Sequence, residues 1–137
     1  MTSTTPLDVG LLRASFGLVI DREPELTARF YATLFSRYPQ ARSLFGRNDP
    51  RTQQQMLQSA LGAVLDHLED AAWLTETLGA LGRRHEGYGV TPAMYDWVGE
   101  SLLATLAEIA ADAWTPALAA AWGDAYGAIA RMMQARA

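Results

Sequence analysis

Apolar residues recur at intervals of three and four through each segment of this sequence, and no segment alternates apolar with polar residues as a half-buried strand would. That period commits the chain to an all-α fold. Prolines divide it into helices. Four times a good N-cap residue precedes a proline: Thr5-Pro6, Asp49-Pro50, Thr91-Pro92 and Thr115-Pro116. There the cap oxygen satisfies orphan amides, and proline fixes φ where no donor is needed. Two further starts are expected near Arg22 to Glu25, with Pro24 in a first turn, and near Ala71 to Trp73 after Glu69-Asp70. Gly87 and Gly89 mark a break after the fourth helix, since glycine commonly follows a helix end.

The stripes predict which side of each helix faces inward. They are Leu12, Phe16 and Val19; Leu26, Phe30 and Leu34, with Tyr31 and Phe35 beside them; Gln53, Leu57, Ala60, Leu61, Val64 and Leu68. Next come Leu74, Leu78, Leu81 and His85; then Tyr95, Val98, Leu102, Leu106 and Ile109; and last Leu118, Trp122, Ala125, Ile129 and Met132.

A chain of 137 residues, half of them hydrophobic and 19% charged, is of a size for one packed core, and a single domain over 1–137 is expected. A net charge of -4 without a Lys/Arg run gives no footprint for nucleic acid or anionic lipid. No apolar run approaches membrane-spanning length, and Met1 to Pro6 lacks a secretory signal's basic flank and apolar stretch, so a cytoplasmic protein is expected. With no cysteine, disulfides, iron–sulfur clusters and thiolate-held metals are excluded, leaving nitrogen or oxygen ligands for any metal.

Only His67 and His85 offer imidazole. His67 lies off its helix's stripe and reads as a solvated surface residue. His85 extends an apolar stripe near a helix end, where it is either a hydrogen-bonded core residue or a metal ligand. Gln53 stands where an apolar residue belongs: either the helix start is exposed, or its amide points into a cavity. Tyr31 is a second inward-leaning polar group, commonly a core residue with a satisfied hydroxyl.

The stretch Leu81-Gly82-Arg83-Arg84-His85-Glu86-Gly87-Tyr88-Gly89-Val90, followed by Tyr95, Val98 and Gly99, resembles the proximal-histidine region of the globins. The likeness is to single-domain bacterial haemoglobins and the haem domain of flavohaemoglobins. A second anchor is Phe30-Tyr31-Ala32-Thr33-Leu34-Phe35, leading through Tyr38-Pro39 to Leu44-Phe45. The resemblance covers about Leu11 to Met133. It implies a globin fold of about six to seven helices around haem b, with His85 as the proximal iron ligand. Phe45 would wedge against the haem, Tyr31 and Gln53 would be the distal tyrosine and glutamine, and Leu57 would crowd the iron one turn later. Tyr88 and Val90 would touch the haem edge, and Tyr95 matches a tyrosine of the proximal side. Arg84, then Arg47 or Arg51, are candidates for the haem propionates.

An open sixth position on such a haem binds oxygen, nitric oxide or carbon monoxide. Oxygen retained by Tyr31 and Gln53 would suit nitric oxide dioxygenation, sustained by a separate reductase. Two departures bear on this. The short link from Phe45 to Pro50 leaves Gln54 as the alternative distal glutamine, and Gln53 is preferred for sharing a face with Leu57 and Leu61. The family's late glutamate beside the proximal histidine has no counterpart in Met133-Gln134-Ala135-Arg136-Ala137. A haem-free helical module binding an apolar ligand or a protein partner is the alternative, with no visible absorption band.

Overall fold

The computed structural model describes residues 7–45 and 49–135. Six α-helices account for most of them: α1 Val9–Arg22, α2 Leu26–Arg37, α3 Pro50–Asp66, α4 Ala71–Gly87, α5 Pro92–Ala110 and α6 Pro116–Gln134. Two 3-10 segments, Pro39–Phe45 and Ala111–Ala113, complete the helical structure. No strand occurs among the described residues, and no helix is long and apolar enough to cross a membrane.

The cap residues account for the helix starts. Asp49 accepts from the Thr52 N–H at 2.9 Å, Asp70 from Trp73 at 3.0 Å and Thr115 from Leu118 at 3.1 Å, each satisfying an orphan amide of the first turn. α1 begins later than the sequence implied. Its cap is Asp8, which accepts from Leu11 at 3.0 Å, and the expected Thr5-Pro6 start lies outside the described residues. Pro24 stands just before α2 rather than inside it, with Glu25 at the N-cap.

The core lies between α1, α2, α5 and α6, around Leu12, Val19, Leu26, Phe30, Leu34, Leu106 and Trp122. One polar pair is buried within it: the Trp122 indole N–H donates to Ser15 Oγ at 2.9 Å, and Ser15 donates to the Leu11 carbonyl at 2.8 Å. Where α5 ends, Arg22 donates to the Ala110 carbonyl at 2.6 Å, supplying a carbonyl that has no partner within the helix.

α4 packs on α6 so closely that the two backbones touch. A Cβ added to Gly82 would lie 1.7 Å from the Met133 carbonyl oxygen, so only glycine permits this crossing. Gly99 does the same for α5 and α6: its bare Cα receives the Tyr126 ring, whose hydroxyl donates to the Tyr95 carbonyl at 2.6 Å.

α3 differs from the others. It rests on α2 and α1 through a single buried residue, Leu65. The expected inward residues Leu57, Leu61, Val64 and Leu68 are all half-exposed; Leu57 and Leu68 pack against the edge of the core beside Leu65, one turn after Leu61, and Leu61 and Val64 lie farther out. On α4, Leu74, Leu78 and Gly82 are buried, while Leu81 and His85 are half-exposed. No extensive interface joins α3 to α4. Leu61 and Val64 on α3 and Leu81 on α4 are thus apolar residues left half-exposed.

His67 corrects the sequence reading. It is half-buried rather than freely solvated, with its ring stacked on Trp73 at 3.9 Å and Nδ1 at 2.8 Å from the Ala63 carbonyl. The stack spans the turn from α3 into α4, a partner in the next element that helical periodicity does not reveal.

Candidate functional site

The candidate site on α2 and α3 starts from Tyr31. α2 carries it 8% exposed, with its ring 5.0 Å from Phe30, 5.3 Å from Phe45 and 5.9 Å from Phe35. Phe45, the last residue of the 3-10 run, also meets Phe35 edge-on at 5.6 Å. This aromatic cluster fixes Tyr31 sterically, and Gln53 orients its hydroxyl. The Gln53 side-chain N–H donates to the Tyr31 phenolic oxygen at 3.2 Å, which leaves the phenolic proton free to point elsewhere. Burial pushes the Tyr31 pKa up, with the Gln53 bond opposing, so the group stays a neutral phenol and a donor at physiological pH.

Tyr31, Phe45, Gln53 and Gln54 border a cavity of about 110 Å³, closed further by Phe35, Pro50 and Arg42. That volume exceeds several-fold the space one water needs. Leu57 follows Gln53 by one turn and is half-buried. Of the two neighbouring glutamines, Gln53 bonds Tyr31, while Gln54 lines both this cavity and a polar surface groove with Glu25, Arg51 and Gln58.

His85 lies in the last turn of α4. Its Nδ1 lies 2.8 Å from the Leu81 carbonyl, which can only accept, so Nδ1 bears a proton and, in the neutral ring, Nε2 is the nitrogen with the lone pair. The His85 carbonyl accepts the N–H groups of Tyr88 and Val90, each at 3.0 Å, which locks the helix end beneath the ring. Tyr88 is 49% exposed, with its ring centre 6.4 Å from that of His85, and Val90 is half-buried.

The remaining expected site residues divide. Tyr95 is buried in α5 and its pKa is raised by burial, then by the Glu86 charge; its carbonyl serves Tyr126, and its hydroxyl makes no bond to His85. Arg84 is exposed without an ion-pair partner among the described residues, Arg51 borders the surface groove, and Arg47 lies outside the described residues. Sequence reading missed Arg42, whose guanidinium lies 4.7 Å from the Phe35 ring centre at the cavity's edge. It also missed Tyr126 and the Gly82 crossing, which fix α5 and α4 on α6.

The donor set determines what metal such a place could take. Among the described residues no three His, Cys, Asp or Glu side chains cluster as a metal site, so an ion held only by the protein has no ligand set here. One oriented imidazole fits instead a metal that brings its own equatorial ligands, as haem iron does.

An all-helical fold thus carries a Tyr31–Gln53 pair at a small cavity on α2 and α3 and an oriented histidine at the end of α4. Residues 28–133 match the Globin family model, and the chain belongs to the globin family. A flavohemoprotein of Vibrio cholerae is 30% identical over 126 residues, covering 90% of this chain and 32% of that protein. One of Bordetella pertussis is 31% identical over 128 residues, covering 92% and 32%. The chain thus spans about a third of the length of these relatives. Among solved structures, an engineered carbene transferase made from a Rhodothermus marinus protein described as a nitric oxide dioxygenase superposes with a TM-score of 0.80. It is 28% identical, with 96% of this chain and 91% of that one covered. The globin family implies a haem cofactor, and the one oriented imidazole of His85 fits such a group.

Proposed function

We propose that this globin binds haem b between α3 and α4 and uses it to bind oxygen, nitric oxide and carbon monoxide. The observation that supports this best is His85 itself, half-buried near the end of α4 with Nδ1 held 2.8 Å from the Leu81 carbonyl, beside half-exposed apolar residues, Leu61 and Val64 on α3 and Leu81 on α4. Apolar residues at helical spacing normally bury themselves against a neighbour. Here no extensive interface joins α3 to α4, and a haem between them would cover those residues.

His85 Nε2 would hold the iron, with Nδ1–H bound to the Leu81 carbonyl to fix the ring's plane and raise its basicity. Phe45 would pack against the haem face, with Val90 and Tyr88 at its edge. Haem b bound there would supply an iron that binds diatomic ligands and the redox chemistry by which oxygen and nitric oxide give nitrate. Tyr31 would donate its free phenolic proton to an oxygen ligand, Gln53 would hold that phenol in place and add an amide donor, and Leu57 would limit the room beside it. Hydrogen bonds to a partly anionic ligand contribute about 1.5–3 kcal/mol, so the pair would slow oxygen release by roughly ten-fold to several hundred-fold.

Nitric oxide dioxygenation is the second activity we assign, on the similarity to flavohemoproteins and to the Rhodothermus protein. It requires a one-electron donor, which we take to be a reductase. Stopped-flow mixing of the oxygenated form with nitric oxide tests it, by complete conversion to the ferric form with stoichiometric nitrate.

The haem reading is tested by visible spectra of haem-reconstituted wild type and His85→Ala in ferric, dithionite-reduced and carbon monoxide-treated states. A sharp Soret band that shifts with carbon monoxide and is lost or altered in the variant supports it. A band absent from wild type, or indifferent to the substitution, refutes it and favours the haem-free module.

A further inference from the structure

The geometry points to an anion site at the mouth of the Tyr31–Gln53 cavity, in which Arg42 recruits small monovalent anions such as nitrate, nitrite or azide. This deepens the haem-globin reading above and rests on it for its spectroscopic readout.

Three observations carry it. Arg42 lies on the 3-10 run at the cavity's edge, with its guanidinium 4.7 Å from the centre of the Phe35 ring. Stacking on an aromatic face uses the flat of a guanidinium and leaves its N–H edge for acceptors. Second, that charge is uncompensated. Arg13, Arg22 and Arg29 each pair with a carboxylate, whereas among the described residues no carboxylate lies within ion-pair distance of Arg42. Third, the cavity wall offers donors. The Tyr31 hydroxyl and the amides of Gln53 and Gln54 line it, no carboxylate does, and Pro50 places the first turn of α3 beside it with the positive end of the helix dipole. The nearest acid in sequence, Asp49, is occupied in capping: it accepts both the N–H and the hydroxyl of Thr52, each at 2.9 Å.

A neutral diatomic gains nothing from such a charge, while an anion does. Arg42 is solvent-exposed, so its attraction is screened, and a roughly three- to ten-fold effect on anion affinity is expected at low salt. The anionic product of nitric oxide dioxygenation would meet the same charge on leaving.

The test compares wild type, Arg42→Leu and Arg42→Lys. Azide is titrated into the ferric haem-loaded protein at low and high ionic strength, and carbon monoxide into the ferrous form. Removing the charge should weaken azide three- to ten-fold at low salt and flatten its salt dependence, so the ratio of azide to carbon monoxide affinity falls; Arg42→Lys should keep most of it. Unchanged azide affinity in Arg42→Leu, or an equal loss for azide and carbon monoxide, overturns the proposal. So does faster haem loss with unchanged azide affinity, which makes Arg42 a propionate partner instead. A second readout does not depend on haem: the Arg42 Nε–H NMR signal should move on titration with nitrate. Its movement in protein lacking a carbon monoxide-sensitive Soret band would keep the anion site and refute the haem reading; a signal that ignores nitrate refutes the site.

Discussion

Gly79 and Gly82 lie in the same helix, three residues apart, and replacing each with alanine should change stability in opposite directions. In a helix interior alanine is favoured over glycine by about 0.5–1 kcal/mol, because the unfolded chain loses freedom and the folded one does not. At Gly79 nothing opposes that gain: the new Cβ would meet only the Arg83 guanidinium, at 3.5 Å, an ordinary contact with the end of a flexible side chain. At Gly82 the Cβ would lie 1.7 Å from the Met133 oxygen and 2.5 Å from its carbonyl carbon, both backbone atoms of α6. Restoring a normal separation requires α4 and α6 to part by roughly 1.5 Å, against the dispersion contacts of a packed interface. Overpacking of this kind costs about 1–3 kcal/mol or more, which outweighs the helix-propensity gain. The expected result is Gly79→Ala more stable than wild type by about 0.5–1 kcal/mol and Gly82→Ala less stable by about 1–3 kcal/mol. Urea unfolding at one fixed haem state should then show midpoints about 1–3 M apart with a common slope. His85 follows Gly82 by one turn, so Gly82→Ala should also speed transfer of haem to an acceptor apoprotein. A Gly82→Ala protein at least as stable as Gly79→Ala would refute the reading that glycine at 82 sets the α4–α6 distance.

Three further outcomes follow from named contacts. Tyr31→Phe and Gln53→Leu should each raise the oxygen dissociation rate by about ten-fold or more, measured by stopped-flow displacement with carbon monoxide; unchanged rates would remove both from the ligand's environment. Ala111 holds φ at 49° and ψ at -114°, a conformation that disfavours an L side chain, so Ala111→Gly should stabilise the protein by about 0.5–1 kcal/mol in urea unfolding; destabilisation would show that the turn carries no strain. The Thr52 backbone and hydroxyl donors hold the Asp49 carboxyl below its ordinary value, so its ionised form stabilises the fold above the unfolded pKa and that contribution fades as pH falls through the lower folded value. Asp49→Asn, which keeps a capping oxygen but cannot titrate, should therefore narrow its stability gap to wild type between pH 6 and about pH 3; a gap that stays constant would separate Asp49 from the acid response.

Local chemistry made the helix starts legible. Asp49-Pro50, Thr91-Pro92 and Thr115-Pro116 each begin a helix where expected, because a cap acts over three residues and owes nothing to the rest of the fold. The 3-10 run Pro39–Phe45 has no such signature: three residues per turn leaves no amphipathic period, and Arg42 was invisible as a site residue for that reason. Tyr95 shows the limit of likeness. The resemblance places it on the proximal side, and it is buried there, but its hydroxyl makes no bond to His85, and the polar group in use is a carbonyl any residue would supply to Tyr126.

The most useful discrepancy is in α3. Ala60-Leu61-Gly62-Ala63-Val64-Leu65 is apolar around more than one face, so periodicity alone could not say which face the core would take. Only Leu65 is fully buried, with Leu57 and Leu68 packed at the core's edge, while Leu61 and Val64 stay half-exposed, as Leu81 and His85 do on α4. A helix needing only a core has little reason to carry this excess of apolar residues. Filling Leu61 with a charge separates the two demands: Leu61→Lys should leave urea stability of the haem-free protein nearly unchanged, since that face is outside the core, while weakening haem retention at least ten-fold, because a cation would meet the porphyrin's apolar surface. Equal loss of stability and haem affinity would place Leu61 in the core and return α3 to the single-faced helix its spacing first described.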